Sequence, residues 1–223
     1  MTAITDPIPK DLRSHLETTY SLTPRDELER IIDDFISVTE RGSDGRTTLH
    51  QILEMSARII FRRFGFGEVS VGLKSRKDGL YRYEFTLGLR KDVELSFKQA
   101  TYDKDDMVSH DRFPFIRTGR LSELDPIEGL PEKERQMFNR PFSLESPRKS
   151  RDDFHEGDYF DVWMMDGNKG IIGWFELSSP KDGKMPPRVS IRWIEVLASI
   201  CASIILERWS EEDLAQPNAQ AKR

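Results

Sequence analysis

The residues that most often announce chemistry are scarce in this chain. Its 223 residues include one cysteine, Cys201, and 4 histidines. A single cysteine excludes an intramolecular disulfide and gives no sign of an oxidising compartment. His15, His50, His110 and His155 are scattered, without the i, i+4 spacing or cysteine neighbours of a local metal site. There is no G-x-S-x-G elbow and no Walker sequence, and Gly65-Phe66-Gly67 is not followed by Lys-Ser/Thr. The N-terminal MTAITDPIPKDL lacks an apolar centre, so no signal peptide is expected. No run approaches the ~18–20 apolar residues that a bilayer span requires. Basic residues are not in excess: Lys+Arg number 34 against 39 Asp+Glu, for a net charge of -5. A phosphate backbone calls for the opposite balance. The expectation is a cytoplasmic protein that acts on neither nucleic acid nor membrane and is not an enzyme. The identity of any cofactor stays open.

The length suits one medium domain with decorated ends. Residues 1–23, with Pro7 and Pro9, read as a flexible arm. A first helix is expected over 24–45, with Thr23 as N-cap and Pro24 at the first helical position. Leu28, Ile31, Ile32, Phe35 and Val38 recur along it at helical spacing. A second helix is expected from Thr48 to Phe64, ended by Gly65 and Gly67. Three alternating runs then predict antiparallel strands around Val69–Leu73, Tyr81–Leu87 and Val93–Phe97, the first two joined at Asp78-Gly79. Residues 103–153 lose periodicity, with a short helix plausible only near Pro131–Phe138. So long an irregular stretch inside a domain is usually functional or mobile. Two further strands, Asp158–Met165 and Gly170–Ser178, flank a turn at Asp166-Gly167-Asn168. A helix from Val189 to Trp209 closes the domain, and residues 211–223 read as a disordered tail.

The apolar arc of that last helix is wider than one sheet-facing stripe needs. Either it is buried on two sides within the monomer, or one side meets a second chain. The first helix also carries more apolar surface than a free segment should expose. Both observations favour a homodimer built on the terminal helices.

The order of elements from Thr48 to Trp209 resembles the GAF family. The run Gly170-Ile171-Ile172-Gly173-Trp174-Phe175-Glu176-Leu177 is similar to that family's penultimate strand. Trp193-Ile194-Glu195-Val196-Leu197-Ala198-Ser199-Ile200-Cys201-Ala202 is similar to its closing helix. The resemblance implies an α+β, profilin-like fold over residues 46–210: an antiparallel sheet, terminal helices on one face, and an irregular insertion roofing a ligand pocket on the other. It also implies a sensory or regulatory module that binds a small molecule non-covalently and signals through its terminal helices. With no kinase, cyclase or DNA-binding segment in the sequence, output is expected through a separate signalling protein.

Period-two alternation then selects the pocket residues. Ile171, Phe175 and Leu177 form the apolar face expected to meet the helices, leaving Trp174 and Glu176 on the pocket side. On the preceding strand Tyr159, Asp161 and Trp163 share the face assigned to the pocket. The insertion supplies Arg117, Arg120 and Arg140, along with Arg112, Arg135, Arg148 and Arg151. Arginine forks suit a carboxylate or phosphate ligand, which would make the ligand anionic. The favoured reading is that these arginines pair with nearby acids such as Asp105, Asp106, Glu132, Glu134 and Asp152. His110 and His155 are the lone haem candidates, with loop histidines the favoured reading. Asp158 and Asp161 lie on opposite faces, which weakens a shared cation site. Cys201, among apolar helix neighbours, reads as a buried structural thiol, and the cysteine–histidine pair of bilin-binding members is absent. Two alternatives remain: a structural dimerisation module whose pocket is filled by its own aromatics, Trp163, Trp174 and Phe113, and, less favoured, an enzyme on the same scaffold.

Overall fold

The computed structural model describes residues 9–20, 23, 26–108, 115–129, 139–140, 143–144 and 147–215. Among these residues six α-helices and six strands follow in the order α1 (Lys10–Thr19), α2 (Glu27–Ser43), α3 (Leu49–Arg63), β1 (Phe66–Lys74), β2 (Tyr81–Leu87), α4 (Lys91–Gln99), α5 (Lys104–Val108), β3 (Ile116–Arg117), β4 (Ser122–Asp125), β5 (Tyr159–Met165), β6 (Ile171–Pro180) and α6 (Arg188–Ala215). The strands form one sheet in the order β2-β1-β6-β5-β4-β3. Every neighbouring pair is antiparallel.

Local chemistry explains the long helices. Thr48 and Gln51 form a capping box at the start of α3: Thr48 Oγ1 accepts from the Gln51 amide, and Gln51 Oε1 accepts from the Thr48 amide at 2.9 Å. Asp26, not Thr23, caps α2, accepting from the Glu29 amide at 2.9 Å, and Pro24 lies outside the described residues. Helices α2, α3 and α6 cover one sheet face. Their Phe35, Val38, Ile52, Ile60, Ile194, Leu197 and Ile205 pack on Val69, Val71, Phe160, Val162, Met164, Phe175 and Leu177. The wide arc of α6 is therefore used on two sides, against the sheet and against α2. The Phe35 and Trp193 rings meet edge-on at 6.1 Å, and a Cβ at Gly42 would overlap Ile204. By length and composition alone α6 could cross a bilayer, but its apolar residues Ile191, Ile194, Leu197, Ala198, Cys201 and Ile205 are buried in this core.

Four local expectations change. Val93–Phe97 is the helix α4, not a strand. Val93 and Phe97, four residues apart, are buried together while Leu95 is 60% exposed. A strand would have buried all three. The segment read as an arm contains α1, which buries none of its residues. Two short strands, β3 and β4, occupy a stretch read as irregular. Helix α6 runs to Ala215, past the expected end at Trp209. The helix expected near Pro131–Phe138 lies outside the described residues.

Candidate functional site

The sheet face turned away from α2, α3 and α6 carries the chain's unusual polar residues. Strand register sets one row across all six strands: Arg117, Glu123, Asp161, Glu176, Ser70 and Thr86. Three consecutive positions in that row are acidic. Beside it, Asp125 pairs with Tyr159, and Trp163 pairs with Trp174. Tyr159, Asp161, Trp163, Trp174 and Glu176 thus lie on one face. Ile171 joins them instead of the helix side, packing beside Trp174 and Tyr81. A bulge shifts the register between Met164 and Met165 and reverses the alternation there.

This face has two halves. At the β1–β2 end, α4 and aromatic side chains fill it. Trp174 is buried against Tyr83 and Tyr81, with centroid separations of 5.1 and 6.3 Å. Its ring occupies the space where a Cβ on Gly72 would sit, so only glycine fits there. Trp174 is therefore a packed wall, and Trp163 lies half-buried against the same cluster. Phe113, expected beside them, lies outside the described residues.

At the β4–β5 end, carboxyl groups replace the aromatics. Asp125 is only 3% exposed. Asp125 Oδ2 and Asp161 Oδ1 are both buried and accept no hydrogen bond. Burial and the negative Glu123 and Glu176 push the Asp125 carboxyl up to about 8. Burial, then Glu176, Asp125 and Glu123, push Asp161 well above the carboxylate range. Burial first, and then the acidic neighbours, also raise the phenols of Tyr83 and Tyr159. Tyr83 Oη donates to Glu176 Oε2 at 2.5 Å. Glu68, further along the face, accepts from Ser178 Oγ and Asn139 Nδ2, each at 2.8 Å, and burial raises its carboxyl too.

A cavity of about 460 Å³ opens at the Glu68 end, lined by Glu68, Ser178, Ser179, Arg140, His155 and Glu156 among others. Arg140 is held there by Glu156, with Nε to Oε2 at 2.8 Å, and by Ser179 Oγ at 2.5 Å. Ser179 has a left-handed backbone, φ 54, rare for a non-glycine residue and commonest at functional positions.

Among the described residues the insertion arginines do not converge. Arg117 turns its guanidinium onto the carbonyls of Gly119 and Arg120, and Arg120 is exposed. Arg148 makes a fork to the fully buried Asp158, at 2.7 and 2.8 Å, and a second to Glu128. The amides of His155 and Ile127 complete the Asp158 shell, so Asp158 anchors the loop. Arg112, Arg135 and His110 lie outside the described residues. His155 Nδ1 lies 2.8 Å from the Glu156 carbonyl. Among the described residues no group of three His, Cys, Asp or Glu could hold a metal. Cys201 is buried, 3.2 Å from Ser56 Oγ, and burial pushes its thiol up to about 12.

Sequence reading missed Glu123, Asp125, Tyr83 and Glu195. Glu195 is buried on α6, where Oε1 accepts from the Leu121 amide at 2.7 Å and Ser122 Oγ at 2.8 Å. Oε2 pairs with Arg192. A Cβ at Gly119 would strike this carboxylate. Glu195 thus fastens the β3–β4 hairpin, which borders the acidic face, to the closing helix. The signal was there in sequence: an acidic residue inside an otherwise apolar helical arc. A second cavity, about 730 Å³, lies on the helix side among Arg41, Arg46, Arg58 and Arg62. Arg46 and Arg58 are already paired there with Asp44 and Glu54.

No family model matches the chain, and no curated protein matches it. Solved structures do. The GAF domain of an Acinetobacter phosphoenolpyruvate-protein phosphotransferase aligns over 85% of this chain and 97% of its own, with 11% identity and TM-score 0.51. A GAF domain/HD domain protein from Geobacter sulfurreducens aligns over 73% and 95%, with 14% identity and TM-score 0.53. The GAF domain of a putative sensor histidine kinase from Pseudomonas syringae pv. tomato aligns over 92% and 98%, with 10% identity and TM-score 0.50. The fold is that of GAF domains.

Proposed function

From a GAF-type fold with one sheet face sealed by helices and the other polar and half-buried, we propose that this chain is a cytoplasmic sensory or regulatory module. It binds a small molecule non-covalently on the open face and passes the signal through its terminal helices as a homodimer, to a separate protein. The carrying observation is the open face itself: Tyr159, Asp161, Trp163 and Glu176 share it, beside a cavity of about 460 Å³. Ligand pockets combine such walls with a few polar groups. The inert, buried Cys201 favours non-covalent capture. Leu28, Ile32 and Ile36 repeat at i, i+4 and i+8 along α2 and stay exposed, as do Val189 and Val196 on α6. That stripe supports pairing of two copies.

Native mass spectrometry of the purified protein tests this reading. A dimer carrying a small mass that denaturation releases is expected. A ligand-free dimer would instead support the structural module, which has its own observation: Tyr81, Tyr83, Phe97 and Trp174 fill one half of the face. A ligand-free monomer would refute both.

A further inference from the structure

The ligand's charge can be read from the half of the face that the protein leaves electrostatically unfinished. Resting on the ligand-binding reading above, we infer that the site takes an organic cation, an ammonium group seated against Asp125 and Asp161 with its hydrocarbon part toward Trp163.

Three observations carry this. The two aspartates each bury an oxygen that accepts nothing from the protein: Oδ2 of the almost fully buried Asp125 and Oδ1 of Asp161. Buried polar atoms are nearly always partnered, so such orphans mark where another group belongs. Acidic side chains surround both oxygens: Glu123 and Glu176 flank Asp161 in the strand register, and Glu123 lies two residues from Asp125 on β4. Finally, the β5 residues on this face run aromatic, acid, aromatic: Tyr159, Asp161, Trp163. An ammonium beside a carboxylate gains a charge-assisted hydrogen bond, and its methylene or methyl groups gain from an aromatic face.

The same geometry disfavours the two obvious rivals. A metal ion needs several converging ligands, and the described residues offer no group of three. An anion needs free guanidinium or ammonium groups. Arg140 and Arg148 are committed to Glu156 and Asp158, and Arg117 caps backbone carbonyls.

The test uses the whole chain and three probes of one shape: phenethylamine, 2-phenylethanol and phenylacetate. They are titrated by calorimetry above the pH of about 8 at which Asp125 ionises. Phenethylamine is expected to bind at least about tenfold more tightly than the other two. Asp125→Asn and Asp161→Asn should each weaken it by about tenfold or more while their cooperative thermal unfolding persists. If the alcohol or phenylacetate binds as well as the amine, the cation assignment is overturned and the pocket reading survives. Undiminished amine binding in both variants places the amine elsewhere and overturns it too. Failure of all three probes, with no small mass released in native mass spectrometry, sinks both readings. Failure of all three with an anionic or neutral mass released sinks this one alone.

Discussion

Buried carboxyls that hold protons in the folded state must make this protein less stable as pH rises. Asp125 is raised from 3.8 to about 8, and Asp161 is raised with it. In the unfolded chain both return to ordinary values. Between those limits the folded state binds more protons than the unfolded one, so the contribution is complete below the ordinary value and is lost as pH climbs toward the folded one. Each retained proton tilts stability by ~1.4 kcal/mol per pH unit. The two aspartates titrate as a pair. One shared proton over about two pH units, from 5 to 7, removes ~3 kcal/mol, and two protons ~6 kcal/mol. That is a large part of the ~5–15 kcal/mol typical of a folded domain. Carboxylates held low by arginine or lysine, such as Asp78, Glu94 and Asp153, act in the opposite sense. Their effect falls below their ordinary values and leaves this window flat. Glu68, raised by burial, adds to the slope. Urea unfolding followed by circular dichroism across the window at constant ionic strength should show the midpoint falling by ~1 M or more, for an m-value of ~1–3 kcal/mol/M. The Asp125→Asn, Asp161→Asn double variant should lose most of that slope. A midpoint that holds constant or rises with pH in the parent protein would refute the reasoning.

Other outcomes follow from single contacts. Gly72→Ala places a Cβ in the Trp174 ring and should destabilise by ~1–3 kcal/mol, seen as a lower Tm. Glu195→Ala leaves the Leu121 amide and Ser122 hydroxyl without their buried acceptor. A loss of about 3 kcal/mol is expected, with faster exchange of the Leu121 amide, and Glu195→Gln should restore part of both. Ile32→Glu puts a charge in the middle of the exposed α2 stripe, and light scattering should then read a monomer. Cys201, with its thiol raised to about 12, should resist thiol reagents in the native protein and react only on unfolding.

The elements that could be read in sequence were those whose periodicity and end signals agreed. Helix α3 was bounded within a residue because Thr48 and Gln51 cap it and Gly65 follows it. Strands β1, β2, β5 and β6 run for seven or more residues, long enough for a period of two to stand out along part of each. Helix α4 was misread because Val93 and Phe97 satisfy both an alternating and a four-residue pattern, and only Leu95, exposed in the fold, separates them. The β3–β4 hairpin is too short to show a period. With β4 unseen, Glu123 and Asp125 could not be placed on the open face, although Tyr159, Asp161, Trp163 and Glu176 could. Ile171 changed sides because a bulge leaves no mark in the pattern of apolar residues. Helix α1 buries nothing, so no amphipathic demand exposed it.

The acidic row also bears on how reliably the chain assembles itself. If β5 paired with β6 one residue out of step, Asp161 would be driven into the apolar core beneath the helices, while Phe160 and Val162 would turn to the open side. Such a slip would be penalised at two strands at once, since Glu123, held opposite Asp161 on β4, would turn with it toward the oily layer while Glu176 stayed in place. The charges that weaken the finished fold therefore act as alignment marks during its assembly, and neutralising them should yield a tougher protein that reaches its native pairing less faithfully.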